Sequence, residues 1–321
     1  MRRDSFNPFS SACSKRRPEL SVKTCTLYQV DAFTKDLFSG NPAGVVTNAG
    51  GLSAAQMQAI ARECNNSETA FILPAEGRDH DVRVRFFTPV VEVPSCGHAT
   101  IGAHYARAVE HHLSSCTVIQ KIGAGILPVD IEKNGDDYRI VMTQGEIAFS
   151  ELPDSDLEHA VIRALGLDAS DRDRRCPVQI VSTGHSKVMV GIKKRETLHA
   201  LRPDLQALAR LSGRIRCNGY FVFTFDAESQ NILTHGRMFA PAIGISEDPV
   251  TGNANGPLGA YIVRHRLVPV TDGLFTFRGK QGEAMGRPGI VDVEVAHEHG
   301  NPVRVRVGGQ AVIVFRTQIH V

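Results

Sequence analysis

A chain of 321 residues, 42% hydrophobic and 22% charged, is long enough for two domains and has a globular composition, which excludes a disordered, collagen-like or coiled-coil chain. Lys and Arg number 36 against 34 Asp and Glu, and six basic residues with two acidic ones fall in the first 23, so the body is close to neutral. That balance gives no electrostatic reason to bind nucleic acid or an anionic membrane surface. No stretch reaches the roughly 18 apolar residues a spanning helix needs, and the N-terminus lacks the apolar core of a secretory signal. Seven cysteines without CxxC spacing fit reduced thiols, so a cytoplasmic protein is expected.

Residues 1–23 are basic and without periodicity, and they read as a flexible extension. From Cys25, alternating apolar positions (Leu27, Val30, Ala32) lead through Gly40-Asn41-Pro42-Ala43-Gly44 to Val45-Val46, the pattern of strand, turn, strand. Ser53 then caps a helix carrying Met57, Ile60 and Ala61 on one face. Strands are expected at 69–73, 81–88, Val118–Leu127 and Tyr138–Thr143, and a helix from the acidic stretch at Glu151–Glu158 through Leu165. Strand signals at 178–192 follow, then a helix near Pro203–Leu211 and strands at 219–225 and 235–240. A last strand over Val303–Phe315 has the option of packing back on the first half.

The second half echoes the first. Arg85-Phe86-Phe87-Thr88-Pro89 aligns with Arg237-Met238-Phe239-Ala240-Pro241 at an offset of 152. Glu92-Val93-Pro94-Ser95-Cys96-Gly97-His98-Ala99 aligns with Glu247-Asp248-Pro249-Val250-Thr251-Gly252-Asn253-Ala254 at an offset of 155. Seven identities in thirteen positions point to internal duplication, with a domain over 24–145, a second over 146–321, and a ligand cleft between them.

Each repeated motif precedes an apolar helical run. Gly97-His98 and Gly252-Asn253 are therefore expected at helix N-termini, where free amides and the helix dipole favour a small carboxylate. The simpler alternative is that the glycines only make a turn that His98 and Asn253 cap. Glu68 has no carboxylate counterpart in the related stretch Asn218-Gly219-Tyr220-Phe221; at the start of an apolar strand it is a candidate for proton transfer, or else a surface Glu. Asp248 replaces Val93 of the first copy and is a candidate to orient a substrate. Cys96, at a helix start, is either an activated thiol or a small buried residue. HExxH and paired Cys/His spacings are absent, so no metal is expected, and neither GxGxxG after a strand nor a phosphate loop occurs. Lys187, in Gly184-His185-Ser186-Lys187, is the one lysine that suggests pyridoxal phosphate, and alone it makes no case.

Six stretches together resemble one family: Tyr28–Phe33, Gly40–Ala43, Ser67-Glu68-Thr69, Cys96-Gly97-His98-Ala99-Thr100, Glu247–Ala254, and Gln281-Gly282-Glu283-Ala284-Met285-Gly286-Arg287-Pro288. They are similar to the PhzF-like phenazine-biosynthesis isomerases, and within them to the YddE-type isomerases, in order from about residue 25 onward. The resemblance implies an α+β fold related to diaminopimelate epimerase, with two pseudo-duplicated domains, each a curved, mostly antiparallel sheet around a central helix. It implies a homodimer that moves a proton on a small carboxylated metabolite without metal or organic cofactor. By the same resemblance Glu68 is the general acid/base, His98 and Asp248 handle substrate and protons, and Gly97 and Gly252 form the anion-holding turns. Two departures stand out. Asn253 replaces a Ser of the phenazine enzyme, and Thr251 stands where a two-thiol epimerase would place its second cysteine, opposite Cys96.

Overall fold

The computed structural model describes residues 23–271 and 273–321, so nearly all of the basic extension expected at 1–23 lies outside it. The first half runs β1 (Thr24–Ala32), β2 (Asn41–Val46), α1 (Ala54–Cys64), β3 (Thr69–Pro74), β4 (Val82–Phe87), β5 (Glu92–Val93), α2 (Gly97–His111), β6 (Cys116–Ile122), β7 (Gly125–Asn134), β8 (Asp137–Thr143) and β9 (Ala148–Ser150). The second runs α3 (Ser155–Ala164), β10 (Gln179–Ser182), β11 (Lys187–Ile192), α4 (Arg195–Ala200), α5 (Leu205–Ile215), β12 (Tyr220–Thr224), β13 (Thr234–Ala240), β14 (Ile245–Asp248), α6 (Gly252–Arg264), β15 (Gly273–Gln281), β16 (Gly289–Glu298), β17 (Asn301–Gly309) and β18 (Ala311–His320).

The two halves repeat one pairing scheme. In the first, β1–β2 is antiparallel, β2–β3 parallel, β3–β4 antiparallel and β4–β6 parallel. The second has the same senses for β10–β11, β11–β12, β12–β13 and β13–β15. The duplication read from sequence is visible atom by atom. Arg85 holds Glu92 through two bonds of 2.7 Å and lies 5.1 Å over the Phe87 ring; Arg237 holds Glu247 at 2.8 and 2.7 Å and lies 5.1 Å over Phe239. Each half exchanges an outer strand: β9 pairs with β10, and β18 pairs with β1 along its length, while β8 and β17 join the halves. The chain is the α+β, diaminopimelate epimerase-like fold expected from the sequence.

A sheet that curves on itself needs an apolar filler, and α2 and α6 supply it. Helix α2 buries Ala99, Ile101, Ala103, Ala106 and Ala108 with both glycines, and α6 buries Ala254, Leu258, Ala260 and Ile262. Small side chains let strands approach a helix from several sides; larger ones such as Ile101, wholly buried, each contribute about 1.5–3 kcal/mol. Among the described residues no helix is long and apolar enough to cross a membrane.

Some boundaries differ from the sequence reading. Val118–Leu127 is a hairpin rather than one strand, because Gly123-Ala124 turns the chain between β6 and β7, with Gly125 at φ 134°. Residues 178–192 split into β10 and β11 at Gly184, which sits at φ 113°. Val303–Phe315 likewise spans two strands, parted at Gln310, and the part that pairs with β1 is β18. The helix expected from Glu151 starts at Ser155, capped by Asp154, whose side chain accepts from the Leu157 amide at 2.7 Å.

Candidate active site

Glu68 is delivered by the end of α1. Ser53 and Gln56 close a reciprocal cap at the helix start, and Asn65 turns the chain at φ 51° at its end. Asn66 then pairs amide to amide with Gln29 of β1, at 3.0 and 2.9 Å, which fastens the loop just before Glu68. The Glu68 carbonyl accepts from the Gly44 amide of β2 at 3.3 Å, so the backbone is fixed and the carboxylate projects at the head of β3.

His98 enters from the first turn of α2. Its Nε2 lies 3.5 Å from Glu68 Oε2 and 3.3 Å from Ser67 Oγ, and its Nδ1 lies 3.5 Å from Cys96 Sγ. His98 and Glu68 are largely buried, with side chains 7% and 14% exposed, so their interaction is little screened. Asp248, at the end of β14, faces the same cavity from the second half. Asn41 Nδ2 donates to its Oδ1 at 2.9 Å, and the Thr251 hydroxyl donates to its Oδ2 in a short bond. Gln281 donates to the Asp248 carbonyl at 2.8 Å and accepts from the Thr251 amide at 3.1 Å. Burial pushes the Asp248 carboxyl above its ordinary value, partly offset by the nearby His98.

Both repeated motifs begin their helices: α2 starts at Gly97 and α6 at Gly252. The preceding residues, Cys96 and Thr251, make no side-chain cap, and His98 and Asn253 lie inside the first turn rather than capping it. The helix starts face each other, since a Cβ on Gly97 would meet nothing closer than Asn253 Oδ1 at 3.7 Å. Packing therefore does not demand glycine at 97, and the backbone there is unobstructed. Asn253 is held by Gln144, whose Nε2 donates to Asn253 Oδ1 at 2.9 Å. Gln144 in turn accepts from Thr183 at 2.7 Å and fits only because residue 256 is glycine, where a Cβ would fall 1.8 Å from its Oε1.

These groups line a cavity of about 270 Å³, with Glu68, Cys96, His98, Asp248 and Asn253 on its wall. All seven candidate residues read from the sequence meet there. At Cys96, burial, reinforced by the Glu68 charge, pushes the thiol well above its ordinary value despite its place at a helix start, which favours the small buried residue over the activated thiol. The Glu68, Cys96 and His98 donor atoms lie within 4.8 Å of one another, but a cation there would need the thiolate that this environment disfavours. Sequence reasoning missed Gln144, Thr183 and His185 as members of the site, since they sit far along the chain in segments whose composition marks only strands and turns; Lys187, noted in the sequence without a role, lines the same cavity.

The profile of the phenazine biosynthesis-like protein family matches residues 30–317. An uncharacterised isomerase of Clostridium acetobutylicum is 56% identical over 93% of this chain and 99% of its own. The uncharacterised isomerase YddE of Escherichia coli is 49% identical over 91% and 97%. The trans-2,3-dihydro-3-hydroxyanthranilate isomerase of Pseudomonas chlororaphis is 32% identical over 90% and 97%. Among solved structures, a PhzF-family phenazine biosynthesis protein of Bacillus anthracis superposes with a TM-score of 0.83 at 31% identity, covering 92% of this chain and 99% of that one.

Proposed function

The chain belongs to the phenazine biosynthesis-like protein family and is an isomerase of it, and from that premise we propose that it moves a proton on a small carboxylated substrate with Glu68 as the general acid/base. The observation that carries this reading is the Glu68–His98 pair, 3.5 Å apart and largely buried, at a cavity that Asp248 closes from the other half of the chain. A carboxylate removes a proton from carbon only if its own proton can leave again, and His98 is the group placed to share it. The substrate carboxylate is held by the first-turn amides of α2 and α6, whose positive dipole ends converge at Gly97 and Gly252. The two halves act in this reading as the two walls of one cleft.

General acid/base help of this kind is worth roughly 10²- to 10⁴-fold in rate. Glu68→Gln preserves the shape and removes the base, so turnover of trans-2,3-dihydro-3-hydroxyanthranilate or of another active cyclic or amino-acid carboxylate should fall by that factor with ligand affinity nearly kept. A variant as active as the wild type would overturn the assignment.

A further inference from the structure

The half-to-half equivalence singles out Lys187. In the first half the Gly44 amide bonds the Glu68 carbonyl at 3.3 Å; in the second the Val188 amide bonds the Gly219 carbonyl at 2.8 Å. Position 219 is therefore the counterpart of position 68, and it carries no side chain. The vacant space is filled from the neighbouring strand, because a Cβ on Gly219 would lie 2.2 Å from Lys187 Cδ, 2.8 Å from Cε and 3.3 Å from Nζ. Lys187 is 8% exposed, and both it and Glu68 line the active cavity. Its ammonium has three donors, and the bond shown uses one of them, to the Ser186 carbonyl at 3.2 Å.

We propose that Lys187 is the proton-handling counterpart of Glu68, reaching the substrate from the second half of the chain. This rests on the proton-transfer reading above and deepens it by assigning the second partner. Glu68, as carboxylate, takes the proton of a C–H bond, whose electron pair becomes a new C=C bond. The displaced π pair moves to the far carbon, which forms its new C–H bond with a proton from the Lys187 ammonium. The enzyme is left with Glu68 protonated and Lys187 neutral, and exchange with water restores both.

The surroundings suit that duty. Burial lowers the proton affinity of Lys187 from the ordinary lysine range, while Cys217 and Asp248 act in the opposite sense; His185, beside it, and Arg216, at the cavity wall, complete its charged environment. A lysine so placed gives up its proton more readily than one in water.

Two measurements test this. With any carboxylated compound that wild-type protein isomerises, Lys187→Met and Lys187→Arg should both lose product formation at least about 100-fold while Glu68-dependent loss of the substrate's own C–H label into water persists. Arginine keeps the positive charge but releases no proton, so full activity in Lys187→Arg would overturn the proposal and leave only an anion-holding charge. The second uses unaltered protein: acetic anhydride labelling against pH, read by peptide mass spectrometry, should show Lys187 half-reactive at least about one pH unit below the exposed lysines. Coincident titration would overturn the proposal even where no compound is turned over, whereas absence of all Glu68-dependent exchange would count against the general-base reading instead.

Discussion

At the residue scale, burial and neighbouring charges raise the proton affinities of Cys96 and Asp248 and lower that of Lys187. Cys96 sits 3.5 Å from His98 and at a helix start, two features that would each favour a thiolate. Desolvation and the Glu68 charge win, so the buried Cys96 thiol holds its proton more tightly than an ordinary cysteine. Iodoacetamide at mildly alkaline pH should therefore alkylate exposed Cys116 well before Cys96, by a factor of ten or more in rate as read by peptide mass spectrometry. Preferential loss of Cys96 would revive the thiol mechanism. The site motifs were legible in sequence because each polar residue sits beside a turn signal: Ser67-Glu68 after a helix end, Gly97-His98 and Gly252-Asn253 before helices. Lys187 was visible but undecided, since only the void over Gly219 shows where its side chain goes.

At the element scale, the turn after β15 is fastened by charge. Glu283 accepts from His235 Nδ1 of β13 at 2.6 Å, lies 3.2 Å from His199 Nε2 of α4, and pairs with Lys280 at 3.1 Å. Burial alone would raise its carboxyl, but His235 and Lys280 hold it down at about 2. A carboxyl whose folded value lies below its unfolded one of 4.5 gives stability that is fully present above pH 4.5 and is lost as pH falls toward 2. Urea unfolding should then show a loss on the order of 2 kcal/mol across that window, and Glu283→Gln should remove this acid dependence while lowering stability at neutral pH. An unchanged acid slope in the variant would contradict the assignment. Element types were largely readable from period and caps as far as β13, whereas the hairpin at Gly123-Ala124, the short strand β9 and the strands β15 and β16 were not. A turn of two small residues and a strand of three leave too little periodic signal, and tertiary pairing decides them.

At the scale of the whole molecule, duplication explains both shape and site. Paired ion pairs at Arg85–Glu92 and Arg237–Glu247 stabilise equivalent corners, and the helices that fill each curved sheet bring their N-termini together at one cavity. Strand β18 pairs with β1 from Thr24–His320 through Ala32–Ala311. Ending the chain at Gly309 would strip β1 of that partner and expose its backbone edge, so the truncated protein should lose cooperative unfolding and aggregate. A soluble truncation with an unchanged melting transition would show β18 to be dispensable. Internal similarity made the duplication legible from thirteen aligned positions, but the exchange of β9 and β18 between halves follows from strand pairing, which sequence similarity does not encode.

In the proposed reaction Glu68 moves a carbon-bound proton. The most direct test is incubation in D₂O with a panel of cyclic and amino-acid carboxylates, following deuterium uptake by mass spectrometry in wild type and Glu68→Gln. Uptake of solvent deuterium into at least one compound by wild type, reduced at least about 100-fold in Glu68→Gln, is the predicted result. Equal uptake by both proteins would contradict it.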